Sequence, residues 1–91
     1  MYITLNKHKN AQLIYFILKV LKEKYACAHE IKLKLESAHI SYQGKDFFPV
    51  LSQLLLNKHL CYNWINKKGN PVKYYHLTRN GNSFMKSIAV N

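Results

Sequence analysis

At Lys58 the apolar pattern of the chain changes period, and that change limits the fold more than any other feature. Before it, apolar residues recur every three or four positions, the spacing of one helix face. After it they alternate, the spacing of a half-buried strand. A chain of 91 residues has room for one modest core. Residues 1–91 are therefore expected to form a single domain of α+β class, mainly α.

The helical half divides into three. From Ala11 to about Lys24, Leu13, Ile14, Ile17, Leu18 and Leu21 share one face, while Lys19, Lys22 and Glu23 take the other. Cys27 to Leu35 fits two patterns. Ile31, Leu33 and Leu35 alternate with Lys32 and Lys34 as in a strand, yet Ala28, Ile31 and Leu35 also fit a helical face. A short helix is preferred because a turn and another helical pattern come directly after it. Ser37–Gln43 reads as that polar turn, with Ser41 available as an N-cap. A third helix is expected from Gln43 or Lys45 to Asn57, with Phe47, Val50, Leu51, Leu54 and Leu55 on one side. Lys45, Ser52 and Gln53 point the opposite way. Pro49 conflicts with that helix unless it starts late. Tyr2–Leu5 alternates weakly, as an arm or short strand.

In the second half, Leu60–Ile65 and Val72–Leu77 have strand composition, and Asn66–Pro71 between them is a basic turn. They should form an antiparallel hairpin. Thr78 then caps a short last helix carrying Phe84, Met85 and Ile88 as a stripe. Helix, helix, turn, helix, basic hairpin, helix is the layout of a winged helix-turn-helix: a three-helix core, a two-stranded wing and a short C-terminal helix.

Charge agrees with that layout. Fourteen Lys and Arg face four acids, a formal net charge of +10. Nucleic acid and anionic membrane surfaces are the usual partners of such a field. No run approaches the ~18 apolar residues of a membrane span. Residues 1–46 net +4, whereas Phe47 onward carries six cations and no acid. The uncompensated charge thus gathers around the hairpin. The Lys and Asn bias is what an AT-rich coding sequence, such as a low-GC host, plasmid or phage, would produce.

Other chemistries find little support. Cys27 and Cys61 are too few for a disulfide framework or a closed zinc site, and are expected to be small buried residues in a reduced, cytoplasmic protein. Lys7, Lys9, Ala11–Leu18 and Ala26-Cys27-Ala28 imitate a secretion signal, but Lys19, Lys22, Glu23 and Lys24 interrupt it. Cys27-Ala28-His29 and His59-Leu60-Cys61 lack zinc-finger spacing, so no metal or cofactor is expected. No carboxylate pair, nucleophile motif or Gly-rich phosphate loop suggests an enzyme.

Over roughly residues 28–85 the chain resembles the PadR-like transcriptional regulators. Phe48-Pro49-Val50-Leu51 resembles that family's aromatic-Pro-x-Leu signature in the recognition helix. Leu54 to Leu60 is similar to its helix end and approach to the wing. Trp64 and the run Pro71-Val72-Lys73-Tyr74-Tyr75-His76-Leu77-Thr78-Arg79-Asn80-Gly81 look like its tryptophan strand and wing exit. The resemblance implies a dimeric, DNA-binding repressor, and a proline is usual at position 49. His59 stands where the family usually has Gly, which implies a different backbone turn. The family's long C-terminal dimerisation helix has no counterpart before Asn91, so a homodimer is expected to use the first and last helices: Leu13, Leu21, Phe84, Met85 and Ile88.

The expected partner is double-stranded DNA, bound by occupying an operator. In the recognition helix and its approach, the candidate contacts are Ser41, Tyr42, Gln43, Lys45, Ser52 and Gln53. In the wing they are Lys67, Lys68, Asn70 and Lys73. Phe47, Phe48, Leu51 and Leu54 are expected to be core, and Trp64 to pack at the wing base. Tyr74 and Tyr75 should divide, one core and one exposed. One rival keeps the fold but makes the chain a plasmid or phage DNA-maintenance protein on an array of sites. A second makes it a protein-interaction module for an acidic partner.

Overall fold

The structure, a computed structural model, describes residues 10–89. The readings for Tyr2–Leu5, Lys7 and Lys9 lie outside the described residues. Helix α1 (Ala11–Glu23) turns Leu13, Ile17, Leu18 and Leu21 into the core. The chain leaves it extended at Lys24 and passes through a two-residue strand, β1 (Ala26–Cys27), into helix α2 (Ala28–Ser37). The Cys27 N–H donates to Glu30 Oε1 at 3.1 Å, tying down the first turn of α2. Ile31 and Leu35 are buried and Leu33 is exposed. A strand would have carried all three to one side, so this burial is what a helix requires.

A single 3₁₀ turn (Gly44–Asp46) precedes helix α3 (Phe47–Leu56). The helix therefore starts later than Gln43 or Lys45. Ser41 is not its N-cap; Asp46 holds that position, without a side-chain hydrogen bond. Pro49 becomes the third residue of the helix, where its missing N–H forfeits no bond. At the other end Lys58 is left-handed (φ 62°). Its N–H donates to Leu55 O at 3.0 Å and the His59 N–H to Leu54 O at 2.9 Å, the bond pair of a Schellman motif. The special backbone position is thus Lys58 rather than His59.

Strands β2 (Leu60–Lys67) and β3 (Asn70–Leu77) pair antiparallel from Leu60↔Leu77 to Lys67↔Asn70. Their loop is only Lys68–Gly69, at φ 52° and 85°, which suits a type I′ turn. Most of the turn expected at Asn66–Pro71 is therefore strand. The Lys67↔Asn70 pair closes the hairpin, so Asn66↔Pro71 falls at a non-hydrogen-bonded position and the proline loses no ladder bond. On the other side of β3, Ala26 pairs with Tyr75 and Cys27 with Tyr74, giving the sheet order β1-β3-β2. The third strand was not expected, because two residues are too short to show a period.

Helix α4 (Arg79–Ala89) closes the fold along α1. Thr78 Oγ1 accepts from the Gly81 N–H at 2.9 Å and donates to Lys58 O at 2.7 Å. A Cβ on Gly81 would overlap the His59 carbonyl oxygen. The Leu-Thr-x-x-Gly run is thus a clasp that presses the start of α4 onto the end of α3. One hydrophobic cluster joins the helices to the sheet, with Phe47 fully buried at its centre. Burying such a side chain contributes about 1.5–3 kcal/mol.

Four burial expectations are corrected. Phe48 is 53% exposed, because it sits about 100° round the helix from Phe47. Trp64 is 60% exposed although it shares the strand face that carries Leu60 and Tyr75 into the core. Tyr74 and Tyr75 are both buried, at 6% and 5%, since Tyr25 covers the sheet face opposite the core. Cys61 is exposed and Cys27 only half-buried.

Candidate nucleic-acid interface

Helix α3 has an inner face of Phe47, Val50, Leu51 and Leu54. At ~100° per residue the opposite face is Pro49, Ser52 and Leu56, all exposed, with Phe48 and Gln53 at its edges. Not one of its ten residues is charged. The cations stand around it: Lys45 in the turn before, Lys58 just after, and Lys32 of α2 with Nζ 5.0 Å from the Phe48 ring centre. Gln53 lies beside a shallow cleft of about 220 Å³ that it shares with Ile14, Asn57 and Phe84. Ser41 and Gln43 are exposed in the loop before the helix. Tyr42 is half-buried beside Phe47, and burial, then the Glu36 carboxylate, raises its hydroxyl above the ordinary pKa.

The wing divides its residues between two faces. Tyr62, Trp64 and Lys73 share one, and Lys73 Nζ lies 4.2 Å from the Tyr62 ring centre and 5.7 Å from that of Trp64. Lys67, Asn70, Tyr74 and His76 occupy the other. Lys67 Nζ sits 5.6 Å from the Tyr74 ring centre, and the neighbouring Tyr74 raises its pKa. Lys68 is at the tip. The four wing candidates are therefore not on one surface: Lys73 and Lys67 face opposite ways, so a duplex laid against one face meets only some of them.

His59 marks the joint between α3 and the wing. Its ring stacks on Phe84, centroids 4.2 Å apart and 5° from parallel, and its Nδ1 has no hydrogen-bond partner. Burial lowers its pKa.

No family model and no curated protein matches the sequence. Among solved structures, a PadR-like transcription factor from Bacteroides fragilis is 31% identical, with a TM-score of 0.79 over 90% of this chain and 81% of that one. The chain belongs to the PadR-like family. A PadR family transcriptional regulator from Eggerthella lenta (22% identity, TM-score 0.80, 89% of this chain and 71% of that one) has the same fold. So does Bacillus subtilis PadR, solved in complex with operator DNA (19% identity, TM-score 0.75, 87% and 47%). The fold is a winged helix-turn-helix.

In this PadR-like chain the aromatic-Pro-x-Leu run opens α3, and the Thr78–Gly81 run is the clasp behind it. Of the five residues expected at a dimer interface, Leu13, Leu21 and Met85 are buried in the chain's own core and offer no surface to a partner. Phe84 and Ile88 are only partly buried. Sequence reasoning did not single out Pro49 and Leu56 as surface, nor Tyr62 and Trp64 as an exposed aromatic pair. Leu56 had a signal, because it falls opposite Phe47 on a helical projection. Among the described residues, no group of three or more His, Cys, Asp or Glu is arranged to hold a metal, and no helix is long and apolar enough to cross a membrane.

Proposed function

We propose that this PadR-like chain is a transcriptional regulator, and not an enzyme, that binds double-stranded DNA sequence-specifically in the cytoplasm. The whole chain acts as one DNA-binding domain, and represses by occupying its site. Helix α3 enters the major groove, about 12 Å wide, and the wing lies along the neighbouring backbone. The observation that carries this reading is family membership through the Bacteroides fragilis transcription factor. The operator-bound state of Bacillus subtilis PadR and the excess of cations from Phe47 onward support it. Nothing favours the array-binding alternative.

Two copies would place two recognition helices about 34 Å apart, on successive turns of the duplex. Phe84 and Ile88, still partly open on α4, are the residues left to such a dimer. Selection from a random duplex library at ~150 mM salt tests the reading: one enriched motif repeated as half-sites is expected. Equal retention of all sequences would overturn it. Sedimentation at tens of micromolar, with and without the enriched duplex, should show a dimer; a monomer in both would remove that part.

A further inference from the structure

The outer face of α3 is unusual for a chain of this charge. Fourteen of the 91 residues are Lys or Arg, yet α3 holds none of them, and no acid either. Leu56 is 75% exposed and Phe48 53% exposed, with Ser52 between their positions on the projection and Pro49 just beyond Leu56. Only Ser52 and Gln53 interrupt that surface. Lys45 precedes the helix and Lys58 follows it, and Lys32 of α2 stands beside Phe48.

Each base presents different chemistry in the major groove. Guanine is read most often by a bidentate Arg or Lys on O6 and N7, and cytosine N4 by a carboxylate; α3 carries none of these groups. The one apolar feature of the groove is the thymine C5-methyl group. An apolar strip with lysines beside Phe48 and before and after the helix matches a row of methyls next to phosphates. Resting on the DNA-binding reading above, we infer that α3 recognises thymine methyl groups on an A·T-rich half-site, with Leu56, Pro49 and Phe48 as the apolar contacts. Ser52 and Gln53 serve the same base pairs, since the Gln53 amide pairs with adenine N6 and N7. Phe48 and Leu56 are eight residues apart, about 12 Å along the helix. At about 3.4 Å per base pair the strip spans three to four pairs. Charge complementarity selects DNA over an apolar protein partner: the nearby Lys32, Lys45 and Lys58, in a chain of net charge +10, suit phosphate.

The test uses the full chain and the duplex enriched from the random library. That duplex is made twice, once with thymidine and once with deoxyuridine at every thymidine position, which removes the methyls and keeps every hydrogen-bonding group. The expected core is A·T-rich, and deoxyuridine should weaken binding about fourfold per buried methyl, so about 15-fold or more for two. Leu56→Asn, a change at a position already in solvent, should bind the two duplexes with a markedly smaller difference. An enriched core of G·C pairs, equal binding of the two duplexes, or an undiminished difference in Leu56→Asn would overturn the inference and leave sequence-specific DNA binding standing. Failure to enrich any sequence would overturn both, and would mark the strip as a protein-docking face.

Discussion

Helix α3 and the wing show opposite ways of building a surface. Helix α3 exposes Phe48, Pro49, Ser52 and Leu56 and no charge at all. The wing exposes Tyr62 and Trp64 but sets Lys73 beside them on the same face, with Lys67 on the opposite face and Lys68 at the tip. Aromatic rings within 4.2–5.7 Å of lysine nitrogens are partly compensated for their exposure. Most of the outer face of α3 has no such compensation. The contrast teaches that net charge and exposed apolar surface need not share an element, and under the proposed reading phosphate attraction would fall to the wing and base discrimination to a neutral helix.

The two faces of α3 give the largest expected effect. Phe47 and Phe48 are adjacent and chemically identical, but Phe47 is fully buried and Phe48 half-exposed. Phe47→Ala should cost about 3–5 kcal/mol in urea unfolding. Phe48→Ala should cost far less, about 1 kcal/mol or below, and should act on DNA binding instead. Equal costs would mean that the helix has no distinct outer face.

The joint between the regions comes next. Gly81→Ala forces a methyl group against the His59 carbonyl, and overpacking of this kind costs about 1–3 kcal/mol. Because the clasp presses α4 on the end of α3, the variant should also loosen the angle between α3 and the wing. Amide exchange at residues 57–61 should accelerate beyond what the global stability change explains. Unchanged stability would show that the clasp tolerates a side chain.

The neutral ring of His59 gives the smallest of the stability effects. Its folded pKa lies below the ordinary 6.5, so below about pH 6.5 the unfolded chain binds the proton more readily than the folded one. The stabilisation is complete above pH 6.5 and is lost as the pH falls through that value towards the folded pKa. His59→Phe keeps the stack on Phe84 and removes the titration. The wild type should therefore lose stability relative to this variant between pH 7.5 and pH 5, read as the difference in urea midpoints. Parallel pH profiles would show that the ring protonates freely in the fold.

The length of its pattern decided how legible each region was. Long stripes such as Leu13–Leu21 and the strand runs on either side of Lys68–Gly69 declare themselves, because several residues repeat one period. β1 did not, since two residues have no period and Ala26–Cys27 is strand only through its partners Tyr74 and Tyr75. The same missing partner explains the error over Tyr74: alternation says that it faces away from Tyr75, but not that Tyr25 covers it. Phe48 and Trp64 were misjudged because large apolar residues were assigned inward by type. On the outward face of α3 and on the wing, type and burial separate. The exposure of Ser52 and Gln53 is legible from helical projection alone, whereas the opposite orientations of Lys67 and Lys73 require the register.

The division of labour is tested most directly by salt titration of three proteins on the enriched duplex and on a random one. Replacing Lys67 and Lys68 by Ala should weaken binding to both duplexes alike. The slope of log K against log [salt] should flatten by about 0.9 for each phosphate that a subunit no longer neutralises. Gln53→Ala should cost about 1–3 kcal/mol on the enriched duplex alone and leave the slope of the wild type unchanged. If the lysine variant loses sequence preference while Gln53→Ala keeps it, the wing is the reader and the roles assigned to the two regions are reversed.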